Sequence, residues 1–520
     1  MITIWSGLFT LIHVKGRFVI MMIIDDGKCR GCGICMKNCP IGSILIHNRK
    51  ASMKEDCSEC GVCLKACPFH AIEKTPDIKE GAVVCGCCPI QCRITPGHTG
   101  ACLRFTNENG TLKRNRSLVL NNPLVSCEDR AIERPIITGA GAGSTYPCLR
   151  PAPHIVSEKR DGVDVVTVVT EAPLSYSGVT VKIDTNAYIG EAGEPVLCEG
   201  RAVGMISTEE YGSKMLSIGG ANRLTSPYGP LVARIIVSLA NQETVTLWTE
   251  NHTLELRAGS APVIDGEKQE KMRFGCGSAT VGIFARQMKE TADDVIVIDH
   301  HIIGLLSEHL AGEEVGLTWS GVLISGTKSS RGRYFGTPGD GIMGTSIRLP
   351  SDVIKGADMT IARPGMTVFV TDTIGQTRSL YRLADDGTFQ ELPLTDRAAA
   401  LADEIQDNCE ESRVSVLYNG GTGGSARGGV TSKPLKLTQA VHAGKAKLTI
   451  GGAPADVYPG GGINFTVDTE KVVPGSFTWV PTPATVAPVE YTMRRDDYAA
   501  MGGHMDRIVD VDELKRHAFK

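Results

Sequence analysis

An α+β protein of several domains is what the sequence predicts, on three observations. The chain has 520 residues, enough for three or four domains at roughly 150 residues each. Thirteen of its 18 cysteines are crowded between Cys29 and Cys102. Beyond them, β-branched runs with Gly and Pro turns give way to segments that mix helix and strand patterns. Hydrophobic residues at 42% and charged residues at 22% are those of an ordinary globular protein. A net charge of −4 offers no basic excess to displace counterions, which argues against a nucleic-acid partner.

Residues 1–22 are apolar but interrupted by Lys15 and Arg17. Neither apolar piece approaches the ~20 residues that span a bilayer, and no small-residue cleavage site follows. They read as an extension, with the native chain expected to begin at Met21 or Met22. A short strand pairing with the next module is the alternative. No membrane association is expected.

Residues 23–78 carry two copies of one cysteine run. The first is Cys29-x2-Cys32-x2-Cys35-x3-Cys39-Pro40 and the second Cys57-x2-Cys60-x2-Cys63-x3-Cys67-Pro68. Each matches the bacterial [4Fe–4S] ferredoxin run, in which the fourth cysteine ligates the other cluster. The expected sets are therefore Cys29, Cys32, Cys35 and Cys67 for one cluster, and Cys57, Cys60, Cys63 and Cys39 for the second. Three close thiolates wrap a cubane corner, and Gly31, Gly33 and Gly61 let backbone amides turn toward the sulfurs. A zinc ribbon needs only two cysteine pairs per site and leaves eight cysteines and two prolines unexplained. The module is thus ferredoxin-like.

Residues 79–118 hold a third group, Cys85-x2-Cys88-x3-Cys92-x9-Cys102, with Cys87 as a spare. A third iron–sulfur cluster is the preferred reading and a structural zinc site the alternative, because thiolate sets suit both metals. So many metal thiolates imply a reducing compartment, and the protein is read as cytoplasmic.

Residues 119–265 read as β-rich, with strands at Val165–Thr170, Val179–Ile183 and Thr244–Trp248. Residues 266–520 read as a mixed α/β catalytic part. There Gly275-Cys276-Gly277 leads into a helix and then the buried strand Val295–Ile298, ending at Asp299. This is a βαβ pattern. Asp299 lies 22 residues beyond Gly277, near the place of a ribose-binding acid, so Gly275, Gly277 and Asp299 are candidate cofactor residues. An ordinary tight turn with a strand-ending acid is the alternative. Residues 395–407 read as a capped helix and Val414–Tyr418 as a strand. The strand runs into the glycine-rich stretch Asn419–Gly429, read either as an anion-holding loop around Arg427 or as a flexible loop.

Several segments resemble the 6-hydroxynicotinate reductase family. They are Cys88-Pro89-Ile90-Gln91-Cys92-Arg93-Ile94, Gly100-Ala101-Cys102-Leu103-Arg104-Phe105, Ser144-Thr145-Tyr146-Pro147-Cys148-Leu149-Arg150-Pro151-Ala152-Pro153 and Phe477-Thr478-Trp479-Val480-Pro481-Thr482-Pro483. The resemblance covers nearly the whole chain from residue 23. It implies an oxidoreductase acting on CH–CH groups, interconverting 6-hydroxynicotinate and 1,4,5,6-tetrahydro-6-oxonicotinate in nicotinate breakdown, with ferredoxin as electron partner. It also implies iron–sulfur clusters and a flavin, for which Gly275–Asp299 is the one candidate segment.

A substrate of that kind carries a carboxylate and invites a bidentate arginine. Arg331, Arg333 and Arg427 are the candidates, with a solvated basic turn as the alternative for the first two. Ring reduction also needs a proton donor, and His300, His301 and Tyr334 have suitable chemistry. A histidine behind a buried strand is more often structural. Two other functions compete: an iron–sulfur oxidoreductase acting on another small acid, and an electron-transfer subunit with no substrate chemistry. The length beyond residue 118 argues against a mere carrier. Homo-oligomerisation is left open.

Overall fold

The computed structural model describes residues 22–74, 79–85, 92–115, 151–152, 154–208, 213–300, 302–329, 332–334, 339–480 and 484–513. The chain divides into two compact units. One comprises residues up to Gly178, Gly219–Asn241 and Leu417 onward; the other comprises Val179–Ile218 and Gln242–Val416. The chain order therefore interleaves them, unlike the expected division at residues 265 and 266. The physical reason is long-range antiparallel pairing, which no local pattern announces.

The first unit begins with a pseudo-repeat. Helix Ile34–Lys37 follows Gly33 at φ 76°, and helix Val62–Ala66 follows Gly61 at φ 80°. Strand Ile23–Ile24 pairs with Ile72–Glu73, and Ile44–His47 with Lys50–Met53. A second small layer follows, with Val83–Val84 paired to Arg93–Ile94 and Phe105–Glu108 paired to Thr111–Arg114.

The rest of this unit is a mostly antiparallel sheet with helices, in which Ile508–Asp510 runs parallel to His154–Arg160. It is built on strand Val163–Asp184 as far as Gly178. Val165–Leu174 runs against Thr485–Arg494, with His154–Arg160 on the other side. Residues 165–170 are all buried, so their continuous β-branched run, without polar alternation, reflects a strand covered on both faces. Ala446–Ile450 pairs with the outer edge of Ala484–Arg494. Helix Gly229–Ala240 buries Val232, Ile236 and Leu239 and ends at Asn241, whose side chain donates to and accepts from the Phe477 backbone at 3.0 Å each.

The second unit contains a seven-stranded sheet in the order Thr327–Ser329, Gly332–Tyr334, Ile302–Leu305, Asp294–Ile298, Thr367–Asp372, Arg378–Leu383, Phe389–Leu392. Only the central pair, Asp294–Ile298 with Thr367–Asp372, is parallel. Helices Gly277–Thr291 and Asp396–Asp407 bury Val281, Phe284, Met288, Leu401 and Ile405 in the core under this sheet. Thr395 caps the latter helix by accepting from the Ala398 amide at 3.2 Å, as the sequence indicates.

Two expectations need correction. The strand before helix Gly277–Thr291, Lys271–Met272, pairs with Glu410–Glu411 in a separate two-stranded sheet. The helix is therefore not a crossover between parallel strands, and no βαβ dinucleotide unit forms. The glycine-rich stretch is neither an anion loop nor a flexible one. Strand Val414–Thr422 continues through it, Asn419–Thr422 pair with Ile463–Thr466, and helix Gly424–Val430 follows. Amides committed to a ladder cannot converge on an anion.

Candidate metal centres

The eight cysteines of the two runs line two cavities. Cys29, Cys32, Cys35 and Cys67 line one of them. Cys39, Cys57, Cys60 and Cys63 line the other. Each cavity thus takes three sulfurs from one run and the fourth from the other. The glycines make this backbone path available: Gly31 adopts φ 65°, and a Cβ there would collide with the carbonyl oxygen of Arg49. Amides also point at sulfur. Ser43 N–H donates to Cys39 Sγ at 3.2 Å, and the Ala51, Glu59 and Ala71 amides donate to Cys29, Cys57 and Cys67 Sγ at 3.4 Å. Such bonds stabilise thiolate charge and tune cluster potential.

The donor set fits iron–sulfur clusters. Burial pushes the Cys57 thiol up to about 11, and burial with repulsion from neighbouring thiolates raises Cys35, Cys60 and Cys63. Thiolates crowded this closely need cations between them. Sulfur is also much of the module's interior: five of its ten core residues are cysteines, beside Met22, Ile44, Ala51, Ala71 and Ile72. So small a core holds little without the group it surrounds. Chelating the iron anaerobically should abolish hydrogen-exchange protection of the Ala51 and Ala71 amides while leaving residues 165–174 protected. Persisting protection at Ala51 and Ala71 would show that the module folds without metal.

The third cysteine group abuts the second cavity. Cys60 packs against a core of Cys85, Cys92, Ile94, Ala101 and Phe105, which Cys102 also joins. The Arg93 amide donates to Ser58 O at 3.0 Å, and its guanidinium pairs with Glu59 at 3.1 Å. The Cys85 amide donates to Cys92 O at 2.8 Å. Cys88, the fourth expected thiolate, and Cys87 lie outside the described residues. Arg104 then ties the group to the sheet. It meets Glu171 at 2.6 Å, and donates to Thr478 Oγ1 and Ser476 O at 2.7 Å each. Burial raises the Cys102 thiol, and the Arg104 charge opposes that shift.

The remaining expected site residues are dispersed. Arg427 belongs to the first unit and donates to Thr438 Oγ1. His301 and Arg331 lie outside the described residues, as do the side chains of Arg333 and Tyr334, whose backbone forms part of strand Gly332–Tyr334. His300 is 1% exposed and sits beneath Gly344, where a Cβ would stand 2.8 Å from Nδ1. Asp299 is fully buried and paired with Arg273. Its carboxylate holds that guanidinium, which a ribose hydroxyl could not displace cheaply. Gly277 packs against the Ile302 carbonyl. Gly275, Gly277 and Asp299 therefore do not fit a flavin or dinucleotide.

Sequence reasoning missed a polar cleft of about 560 Å³ in the second unit. Its lining includes Gly339–Gly341 and a His252–Asp265 pair at 2.8 Å. Burial works against ionised Asp265, but the His252 bond and the Thr253 amide prevail and lower its pKa. Asp265, Glu267, Glu270 and Asp340 outnumber Lys268 and Lys271 on the walls, so the cleft as a whole repels a carboxylate. The pair spans 13 residues across a hairpin, and no motif marks it.

Comparison with known proteins gives the family. Residues 21–68 match the model of a 4Fe-4S dicluster domain. No solved structure matches the chain. The 6-hydroxynicotinate reductase of Eubacterium barkeri is 59% identical over 500 residues, covering 95% of this chain and all of that protein. Likeness of that extent, over a sequence already carrying the family's segments and a cavity for each cysteine set, shows that the chain belongs to the 6-hydroxynicotinate reductase family.

Proposed function

We propose that this chain is an iron–sulfur oxidoreductase that reduces 6-hydroxynicotinate to 1,4,5,6-tetrahydro-6-oxonicotinate with electrons from reduced ferredoxin. The observation that carries the reading is the full-length likeness to a protein of that name, joined to two four-cysteine cavities in its N-terminal module. The proposed ligands are Cys29, Cys32, Cys35 and Cys67 for one [4Fe–4S] cluster, and Cys39, Cys57, Cys60 and Cys63 for the second. Cys85, Cys88, Cys92 and Cys102 are proposed to hold a third cluster. Clusters so bound would supply single electrons at low potential, which overcoming the aromatic character of a pyridone ring requires.

The reaction adds two electrons and two protons to the ring. Arg331 and Arg333 are proposed to grip the carboxylate, and His301 and Tyr334 to supply protons. His300 is left out because of its burial under Gly344. Gly275, Gly277 and Asp299 do not fit a flavin, and no role in the reaction is assigned to them. The thiolate sets support a reducing, cytoplasmic setting. Among the described residues, no helix is long and apolar enough to cross a membrane.

The test is direct. Anaerobic protein, 6-hydroxynicotinate and reduced ferredoxin should together lose pyridone absorbance, with two ferredoxins oxidised per ring. Iron-replete protein that leaves the absorbance unchanged would reject the substrate.

A further inference from the structure

The two ends of the cysteine module differ. At one end Cys60 is covered by the core of Cys85 and Cys92. At the other, Cys32 is exposed while Cys29, Cys35 and Cys67 are buried. Apolar side chains flank that opening without being covered: Ile34 at 37% and Phe69 at 43% exposure line the cavity of Cys32. Isolated exposed apolar residues mean little, but two of them at an exposed edge of a redox site mark a contact surface.

Charge is also unevenly divided along the module's sequence. Residues 22–50 carry Lys28, Arg30, Lys37, Arg49 and Lys50 against Asp25 and Asp26, a balance of +3. Residues 51–74 carry Lys54, Lys65 and Lys74 against Glu55, Asp56, Glu59 and Glu73, a balance of −1. The whole chain stands at −4. Arg30, Lys37 and Arg49 are exposed. A positive rim on a negative protein, around the open edge of a thiolate-bound cluster, selects an oppositely charged visitor.

We propose that the Cys32 edge, with Ile34 and Phe69 at its centre and Lys37 and Arg49 on its rim, docks an acidic protein that carries one electron on an iron–sulfur cluster. This rests on the proposed reductase function and adds the point of entry. In each encounter the donor's reduced cluster loses one electron and the cluster held by Cys29, Cys32, Cys35 and Cys67 gains it. No proton moves and no bond forms. A two-electron ring reduction needs two such encounters, so the first donor must leave before the second arrives. A small apolar centre with steering charges suits a contact of that kind, because weak electron-transfer interfaces are small and their association is driven by charge.

The experiment is stopped-flow reduction of the iron-replete protein by an acidic reduced ferredoxin at low and high salt. Lys37→Glu/Arg49→Glu should lower the second-order rate constant about tenfold at low salt and flatten its salt dependence. Reduction by photoreduced deazaflavin, a small donor, should keep its parent rate. Lys37→Gln/Arg49→Gln should fall between, and serves if the reversed variant binds less iron. An unchanged ferredoxin rate and salt slope in either iron-replete variant would overturn the proposal. So would a parent protein that ferredoxin does not reduce at all. Fast, salt-dependent cluster reduction without loss of 6-hydroxynicotinate would support the docking face while rejecting the substrate.

Discussion

Replacing Cys39 and Cys57 together by alanine is expected to remove about four irons, whereas replacing Cys57 and Cys67 together is expected to remove about eight. Both variants lose two thiolates. The difference comes from the fold alone. Cys57 and Cys67 belong to one run but line different cavities; Cys39 and Cys57 belong to different runs and line the same one. If each run held its own cluster, the order would reverse. Iron analysis of anaerobically purified protein, with paramagnetic resonance of the reduced state to count surviving cubanes, decides between the arrangements. A cubane reorganised on three thiolates would soften the numbers but not invert their order.

The same residues explain why this part of the site was legible from sequence. Metal ligation by three thiolates within seven residues is a local property, and the fourth ligand follows from an internal repeat whose helices start at equivalent left-handed glycines, Gly33 and Gly61. The Thr395 cap is local too. What escaped was long-range. Helix Gly277–Thr291 has the local signature of a nucleotide unit, but that reading needed Lys271–Met272 to join Asp294–Ile298, and it pairs 138 to 140 positions away, at Glu410–Glu411. Asn419–Thr422 look like a loop because glycine hides the alternation of a strand, yet their ladder partners are Ile463–Thr466. Asp299 looks like an offered carboxylate until Arg273 is seen beside it. The His252–Asp265 pair carries no pattern in either neighbourhood.

Arg104→Ala should cost about 3–5 kcal/mol of stability, because it leaves the Glu171 carboxylate buried without its guanidinium. Arg104 and Glu171 side chains are 2% and 0% exposed, so solvent screens neither. The exchange Arg104→Met with Glu171→Leu should cost far less, since replacing both charges avoids stranding one. Denaturant unfolding of the parent, Arg104→Met, Glu171→Leu and the double variant closes the cycle; equal losses in the single and double variants would mean that packing, not charge, holds the joint. The pair also separates stability from electron transfer. Arg104 opposes the burial that disfavours a thiolate at Cys102, so its charge favours added negative charge nearby. Arg104→Met alone should therefore make the third cluster proposed at Cys102 harder to reduce, shifting its midpoint potential downward, and the double variant should recover part of that shift by removing the opposing carboxylate. A redox titration in which all four proteins share one midpoint would place the electron path elsewhere, and leave Arg104 as a clasp between the cysteine segment and the loop at Ser476 and Thr478.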